Sequence, residues 1–257
     1  MLSESQLKLL MNEAIDWIKD YVEKSGAKGV VIGNSGGKDS AVVIAMATKA
    51  LGKENVLTIS MPCNSIESDY YDAKLVAETF GVKSIKRDLT ETYNRYEEEL
   101  NNSIRELGLD EISKDAKINI KPRLRMVTLY AIAQSLGYLV IGTGNLCEQM
   151  VGYTTKWGDG ASDFNPIANF TVAEVLKIGE WLGVPDKIIK KAPADGLGGQ
   201  TDEEKLGVTY AQIAELIETG NTEEQAKNII IQKFNNSKHK REAIPIFKFD
   251  RENYLMN

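Results

Sequence analysis

Cysteine and histidine are scarce: the 257 residues hold two cysteines, Cys63 and Cys147, and one histidine, His239. With no CxxC pair, a disulfide framework and a structural zinc site are both excluded. Long apolar runs are also missing. The longest, residues 41–47, is far too short to cross a bilayer, and the N-terminal residues carry no signal-like stretch. There is no surplus of positive charge either. A net charge of -6 argues against a broad nucleic-acid footprint, which needs a basic face to neutralise many phosphates. These exclusions leave a soluble, cytoplasmic protein acting on small molecules, with neither membrane nor nucleic acid as partner. Two local basic clusters can attract an anion: Lys121, Arg123 and Arg125, and then Lys238, Lys240 and Arg241.

The chain is long enough for one sizeable core with an appended lobe, and residues 1–257 read as one domain. Leu7, Leu10, Met11, Ala14, Ile15, Ile18, Tyr21 and Val22 recur at three and four, predicting an amphipathic helix that ends near Gly26. A short β-branched run at 30–32 leads through Gly33, Gly36 and Gly37 into a buried helix ending at Gly52. Strand and helix then alternate: strand 56–61, helix 68–80, strand 82–86, a polar helix from about 90 to 107, helix 124–136 and strand 138–141. That alternation predicts an α/β fold, an open, mostly parallel sheet with helices on both faces. Residues 142–170 have no period, and loops of that length in compact domains usually carry function. Thr171 with Glu174 and Thr222 with Gln225 are read as capping boxes that open two later helices, before a basic tail.

The sharpest motif is Ser35-Gly36-Gly37-Lys38-Asp39-Ser40, between the first strand and its helix. Glycines let backbone N–H groups approach phosphate oxygens, a helix N-terminus adds positive dipole, and hydroxyls donate. An acid inside such a loop repels phosphate unless a divalent cation lies between them, so Asp39 points to Mg²⁺. Two other phosphate fingerprints are excluded. A Walker loop requires glycine where Ile32 stands and Ser or Thr where Asp39 stands; Gly142 and Gly144 lack the third glycine of a dinucleotide fingerprint, because Cys147 occupies that place. Cys147 has no histidine near it in sequence and reads as a small packed thiol rather than a nucleophile.

Ser35 to Ser40 resembles the SGGxDS loop of the PP-loop ATP pyrophosphatase superfamily, whose members hold ATP phosphates there and release pyrophosphate. Further segments make the chain similar to the NAD synthetases. Lys121-Pro122-Arg123-Leu124-Arg125-Met126 resembles KxRxRM, and Gly142-Thr143-Gly144-Asn145 with Glu148 resembles GTxNxxE. Residues 152–163, GYTTKWGDGASD, resemble GYxTKxGDxxxD; Gln200 to Glu203 with Leu206, Gly207 and Tyr210 resembles QTDExxLGxxY; His239-Lys240 matches a C-terminal HK. The resemblance implies ATP-dependent amidation of deamido-NAD with ammonia. It assigns ATP to Gly33, Asn34, Ser35, Gly36, Gly37, Lys38, Asp39, Ser40 and Thr143, and Mg²⁺ to Asp39 and Glu148. It assigns deamido-NAD to Arg123, Lys156, Asp163, His239 and Lys240, with Lys156 and Asp163 nearest the chemistry. A homodimer is implied too, with the helices at 95–107 and 124–136 as its candidate faces. The loop begins at Ser35, with no room expected upstream for a fused glutaminase domain, so the nitrogen is expected as free ammonia or from a separate partner.

Two positions depart from the family pattern. Val172 stands where an ATP-contacting lysine is common, and Ala194 where a hydroxyl is frequent. On sequence alone two alternatives stay open: another PP-loop adenylating ligase, GMP-synthetase-like or tRNA-modifying, and a nucleotide-sensing module without turnover.

Overall fold

A computed structural model describes residues 2–191 and 201–251. Ala194 and Gln200 therefore lie outside the described residues. In chain order the elements are α1 (Glu4–Ser25), β1 (Val30–Gly33), α2 (Lys38–Leu51), β2 (Val56–Ser60), α3 (Glu67–Phe80), β3 (Lys83–Lys86), α4 (Thr90–Arg105), α5 (Lys114–Leu136) and β4 (Leu139–Ile141). The shorter helices α6 (Leu146–Val151), α7 (Val172–Leu182), α8 (Asp186–Ile189), α9 (Asp202–Leu206), α10 (Tyr210–Thr219) and α11 (Glu224–Asn236) follow. The four strands form one parallel sheet in the order β3-β2-β1-β4. A bridge from Ile141 to Phe164 prolongs the β4 edge.

Parallel strands need crossovers, and here the crossovers cover both faces. On one face α1, α2 and α7 pack with Ile18, Ile32, Ile44, Met46, Val175 and Ile178, all fully buried. On the other, α4 and α5 close over Val31, Ile59 and Val140. Each such aliphatic side chain removed from water contributes about 1.5–3 kcal/mol. A third apolar cluster joins α6, α10 and α11 to the start of α7 through Cys147, Val172, Tyr210, Ile213 and Ile230; it is the appended lobe. α2 lies at the centre, buried from Ser40 to Ala47 between the sheet, α1 and α7. α7 comes so near it that a Cβ at Gly179 would meet Val42 Cγ2 at 2.9 Å.

The structure departs from the sequence reading in three places. α5 starts at Lys114, ten residues before the expected 124, capped by Ser113 and running through Pro122. Proline there removes one helical donor, which made Lys121-Pro122 look like a boundary. The aperiodic stretch 142–170 contains α6, six residues capped reciprocally by Asn145 and Glu148 and too short to display a period. The second of the two capping boxes does not form: Thr222 Oγ1 donates to Glu215 Oε2 at 2.6 Å, and α11 starts after Glu223 without a side-chain cap. The box of Thr171 and Glu174 is formed as expected, and α9 and α10, which no period announced, are opened by boxes at Thr201 and Thr209.

Candidate active site

The Ser35 to Ser40 loop leaves the C-terminal end of β1 and enters α2 through Gly37, a cap with extended backbone and no side-chain hydrogen bond. The first-turn N–H groups of α2 thus remain available to an anion. Ser35 and Ser40 hydroxyls lie 3.1 Å apart, Gly37 N donates to Ser35 Oγ at 3.2 Å, and Ser40 Oγ donates to Gly37 O at 3.0 Å. The hydroxyls shape the turn before any ligand arrives. Asn34 plays a different part from its neighbours. Its buried side chain accepts from Gly36 N at 3.1 Å and donates to Ala73 O at 2.8 Å, tying the loop to α3. Gly33 ends β1, and Thr143 sits half-buried between β4 and α6.

Lys38 is buried, with Nζ 3.3 Å from Asp39 Oδ2 and 5.7 Å above the Tyr210 ring. Tyr210 itself donates toward Asp202 at 3.4 Å, and Tyr153 does so at 3.0 Å, so the lobe supports the lysine from below. Asn145, which sequence reasoning quoted without a role, is the joint of the site. Its side chain donates to Asp39 Oδ1 at 3.1 Å and accepts from Glu148 N at 3.1 Å, while its backbone N donates to Glu148 Oε2 at 2.8 Å. The Asn-x-x-Glu capping spacing was the signal that could have found it. Burial, and then the charge of Asp39, hold the Glu148 carboxyl well above the usual range. Two carboxylates hydrogen-bonded to the same asparagine, with charges that oppose one another, are a fit for a hard divalent cation. Among the described residues no third acid, cysteine or histidine joins them, so the remaining ligands would be phosphate and water oxygens.

The other expected residues form two settings. In the first, Arg123 Nη2 donates to Lys156 O at 3.4 Å, Lys156 Nζ donates to His239 O at 2.6 Å, and Lys240 Nζ donates to the carbonyls of Gly152 and Thr154 at 2.8 and 2.6 Å. The basic tail is therefore folded back on the loop at 152–160. Burial lowers the pKa of Lys240. Asp159, also unassigned from sequence, braces that loop by accepting from Thr155 N and Thr154 Oγ1 at 2.8 and 3.1 Å. Trp157 stands exposed there with φ +61, a strained conformation for a bulky residue; it anchors no core. In the second setting Asp163 lies along the β4 edge. Its Oδ2 accepts from Val140 N at 2.7 Å, and its Oδ1 from Tyr130 at 3.3 Å. Burial, with the Asp163 charge behind it, pushes the Tyr130 hydroxyl up to about 12.

The departures also find their places. Val172 is buried in the lobe's apolar cluster. Lys177 is no substitute for the absent lysine, since it pairs with Glu180 at 3.0 Å and lies over Trp181 on the outer face. Lys38 is a buried cation within the loop itself.

The family model described as NAD synthase matches residues 10–248. The chain belongs to this family. It is 40% identical to the NH(3)-dependent NAD(+) synthetase of Finegoldia magna, over 95% of the chain and 98% of that protein. It is 42% identical to that of Carboxydothermus hydrogenoformans, over 88% and 92%. Among solved structures, an NMN synthetase from Francisella tularensis superposes with a TM-score of 0.87 at 33% identity, covering 97% of the chain and all of the other. The NH3-dependent NAD synthetase from Campylobacter jejuni gives 0.75 at 25%, covering 94% and 99%. As an NAD synthase the chain is an ATP-dependent ligase of NAD biosynthesis, with ATP as co-substrate. No helix among the described residues is long and apolar enough to cross a membrane.

The structure packs Cys147 as a small buried side chain in the lobe's apolar cluster. Its thiol is fully buried, and desolvation pushes its pKa up to about 11. Cys147→Ala is expected to keep turnover within about threefold and to lower stability by about 1–2 kcal/mol through the lost packing. Steady-state rates and a melting curve check this; a rate lost by orders of magnitude in a folded variant would restore the thiol to the chemistry.

Proposed function

We propose that the chain converts deamido-NAD to NAD with ammonia, through an adenylated carboxylate, releasing pyrophosphate and then AMP. The observation that carries the reading is the meeting of an uncapped helix start, buried Lys38 and the Asp39–Glu148 pair at the C-terminal edge of a parallel sheet, where such folds bind ligands. The loop's N–H groups and Lys38 receive the phosphate charge that builds as the nicotinate carboxylate attacks the α-phosphorus. Asp39 and Glu148 would hold Mg²⁺, which would supply positive charge to offset that of the pyrophosphate leaving group.

Arg123, Lys156, His239 and Lys240, gathered by the folded-back tail, bind the dinucleotide and keep its carboxylate turned toward ATP. A carboxylate offers about four acceptor directions, of which the structure uses two at Asp163. The others can orient ammonium or take its proton as the amide forms. A two-fold homodimer belongs to the same reading. The outer face of α5 exposes Val127 and Leu136 beside Tyr130, and α1 exposes Trp17 and Tyr21, an apolar surface suited to a second copy. Nothing in this chemistry needs another compartment than the cytoplasm, and the relatives named for NH(3) support free ammonia as the nitrogen source.

The likeness to an NMN synthetase supports a second acceptor, the nicotinate mononucleotide, which lacks the adenylate half. One assay separates the two. Pyrophosphate release is measured with Mg²⁺-ATP and ammonium, against each nicotinate nucleotide in turn, with the amide product assayed in parallel. Release matched to NAD and dependent on the dinucleotide is the expected result. Preference for the mononucleotide shifts the assignment to its amidation, and release with neither removes both.

A further inference from the structure

Behind the phosphate loop lies an ion cluster that the reaction as described does not use. Asp72, on the second turn of α3, has a side chain only 3% exposed, yet it meets two lysines, one on α8 and one just beyond it: Lys187 Nζ at 2.5 Å from Oδ1 and Lys191 Nζ at 2.7 Å from Oδ2. Lys191 also reaches Asp69 Oδ1 at 2.8 Å. Lys191 donates a directed hydrogen bond to Oδ2, and the Lys187 ammonium lies in direct contact with Oδ1. Burial by itself would raise the Asp72 pKa, and the two lysines outweigh it.

The cluster touches the loop through backbone. Gly36, at φ +73, rests on α3 so closely that a Cβ there would meet Asp69 O at 2.5 Å, Ala73 N at 2.8 Å and Asp72 Cβ at 2.9 Å. Asn34 is bonded to Ala73 O of the same turn. The start of α3 has no side-chain cap to fix it. Lys187 and Lys191 flank Ile188 and Ile189, which are buried in the core cluster that also holds α2. The two lysines therefore refer the position of α3 to the core beneath the loop. Only the carboxylate is buried, while the Lys191 side chain is half-buried and that of Lys187 exposed; such ion pairs contribute little net stability, so stability alone does not account for the cluster, whereas its contacts fix one geometry.

We propose that Asp72, held by Lys187 and Lys191, is a positioning residue for the phosphate loop, acting on the β- and γ-phosphates of ATP and on no other part of the ligand. The proposal rests on the reading of Ser35 to Ser40 as that loop.

The test is equilibrium binding of Mg²⁺-ATP and of AMP to the full chain by titration calorimetry, without acceptor or ammonium, for wild type, Asp72→Asn, Lys187→Met, Lys191→Met and the combination of Asp72→Asn with Lys191→Met. AMP has no phosphates for the loop and reports everything else. In Asp72→Asn, ATP is expected to bind about tenfold more weakly with AMP within twofold, and the combined variant to lose little more, because the partners act as one unit. Lys187 is 66% exposed, so Lys187→Met leaves no buried hole and keeps the test open if Asp72→Asn does not fold; it is expected to weaken ATP alone by about threefold. Equal weakening of ATP and AMP, or no change in any folded variant, overturns the proposal. A wild type that does not prefer ATP to AMP overturns the phosphate-loop reading and this inference with it, whereas a wild type that prefers ATP beside unaffected variants overturns this inference alone.

Discussion

Asp39→Asn is expected to lower pyrophosphate release by about three orders of magnitude in a chain that still folds. The variant keeps the volume and the oxygen that accepts from Asn145 Nδ2; it removes one negative charge from the carboxylate pair. Glu148→Gln is its partner experiment, and it carries a pH signature. In the metal-free chain burial and Asp39 hold the Glu148 pKa above its ordinary 4.5. A carboxyl with a raised folded pKa binds its proton more tightly when folded. Its contribution to stability is therefore full below about pH 4.5 and is lost as pH rises through the raised value. Without Mg²⁺, wild type is expected to lose melting temperature from acid toward neutral pH relative to Glu148→Gln, and Mg²⁺ is expected to restore it only in wild type. Near-normal turnover by Asp39→Asn, or melting indifferent to Mg²⁺ at neutral pH, would remove the pair from metal binding.

Gly36→Ala is expected to cost at least about 2–3 kcal/mol and to abolish measurable ATP binding. Positive φ is part of the reason, but a methyl there would also press on the backbone of α3, which cannot give way as a side-chain tip can. Gly37→Ala is the control in the same loop. Its φ is -94, and the added Cβ meets only the Ser35 hydroxyl, at 3.2 Å. Thermal melting should separate the two clearly, with Gly37→Ala within about 1 kcal/mol of wild type. Similar melting of both variants would show that α3 yields and that the loop is softer than its contacts imply.

The alternation of short β-branched runs with helical periods was legible because each element is long enough to show its period, and the loop after β1 was legible because its glycines and acid sit at fixed offsets. What stayed hidden was set by contacts between distant positions. Asn145, already tied to Glu148 in its own turn, reaches Asp39 across 106 residues of chain, and no local pattern states such a distance. α6, α8 and α9 are too brief to carry a period, and Pro122 disguised the first part of α5 as a boundary. Lys38 reads as a charge added to a glycine turn, yet the fold buries it over Tyr210 from the far end of the chain. Lys177 shows the same limit: helix spacing gives its position along α7 but not that its head turns to Glu180 and Trp181.

Asp39 stands on α2, the centre of the main core, whereas Glu148 stands on α6, within the lobe. On the proposed function, a bound ion and its nucleotide would join two packing units that also meet through Asn145, the Lys38–Tyr210 contact and the apolar residues of α7. A ligand that favours the joined form adds RT ln(1 + [L]/Kd) to folding, about 2.7 kcal/mol at a hundredfold excess. Such an enzyme is stabilised by its own substrate supply: the nucleotide pool that sets its rate also sets how much of it survives.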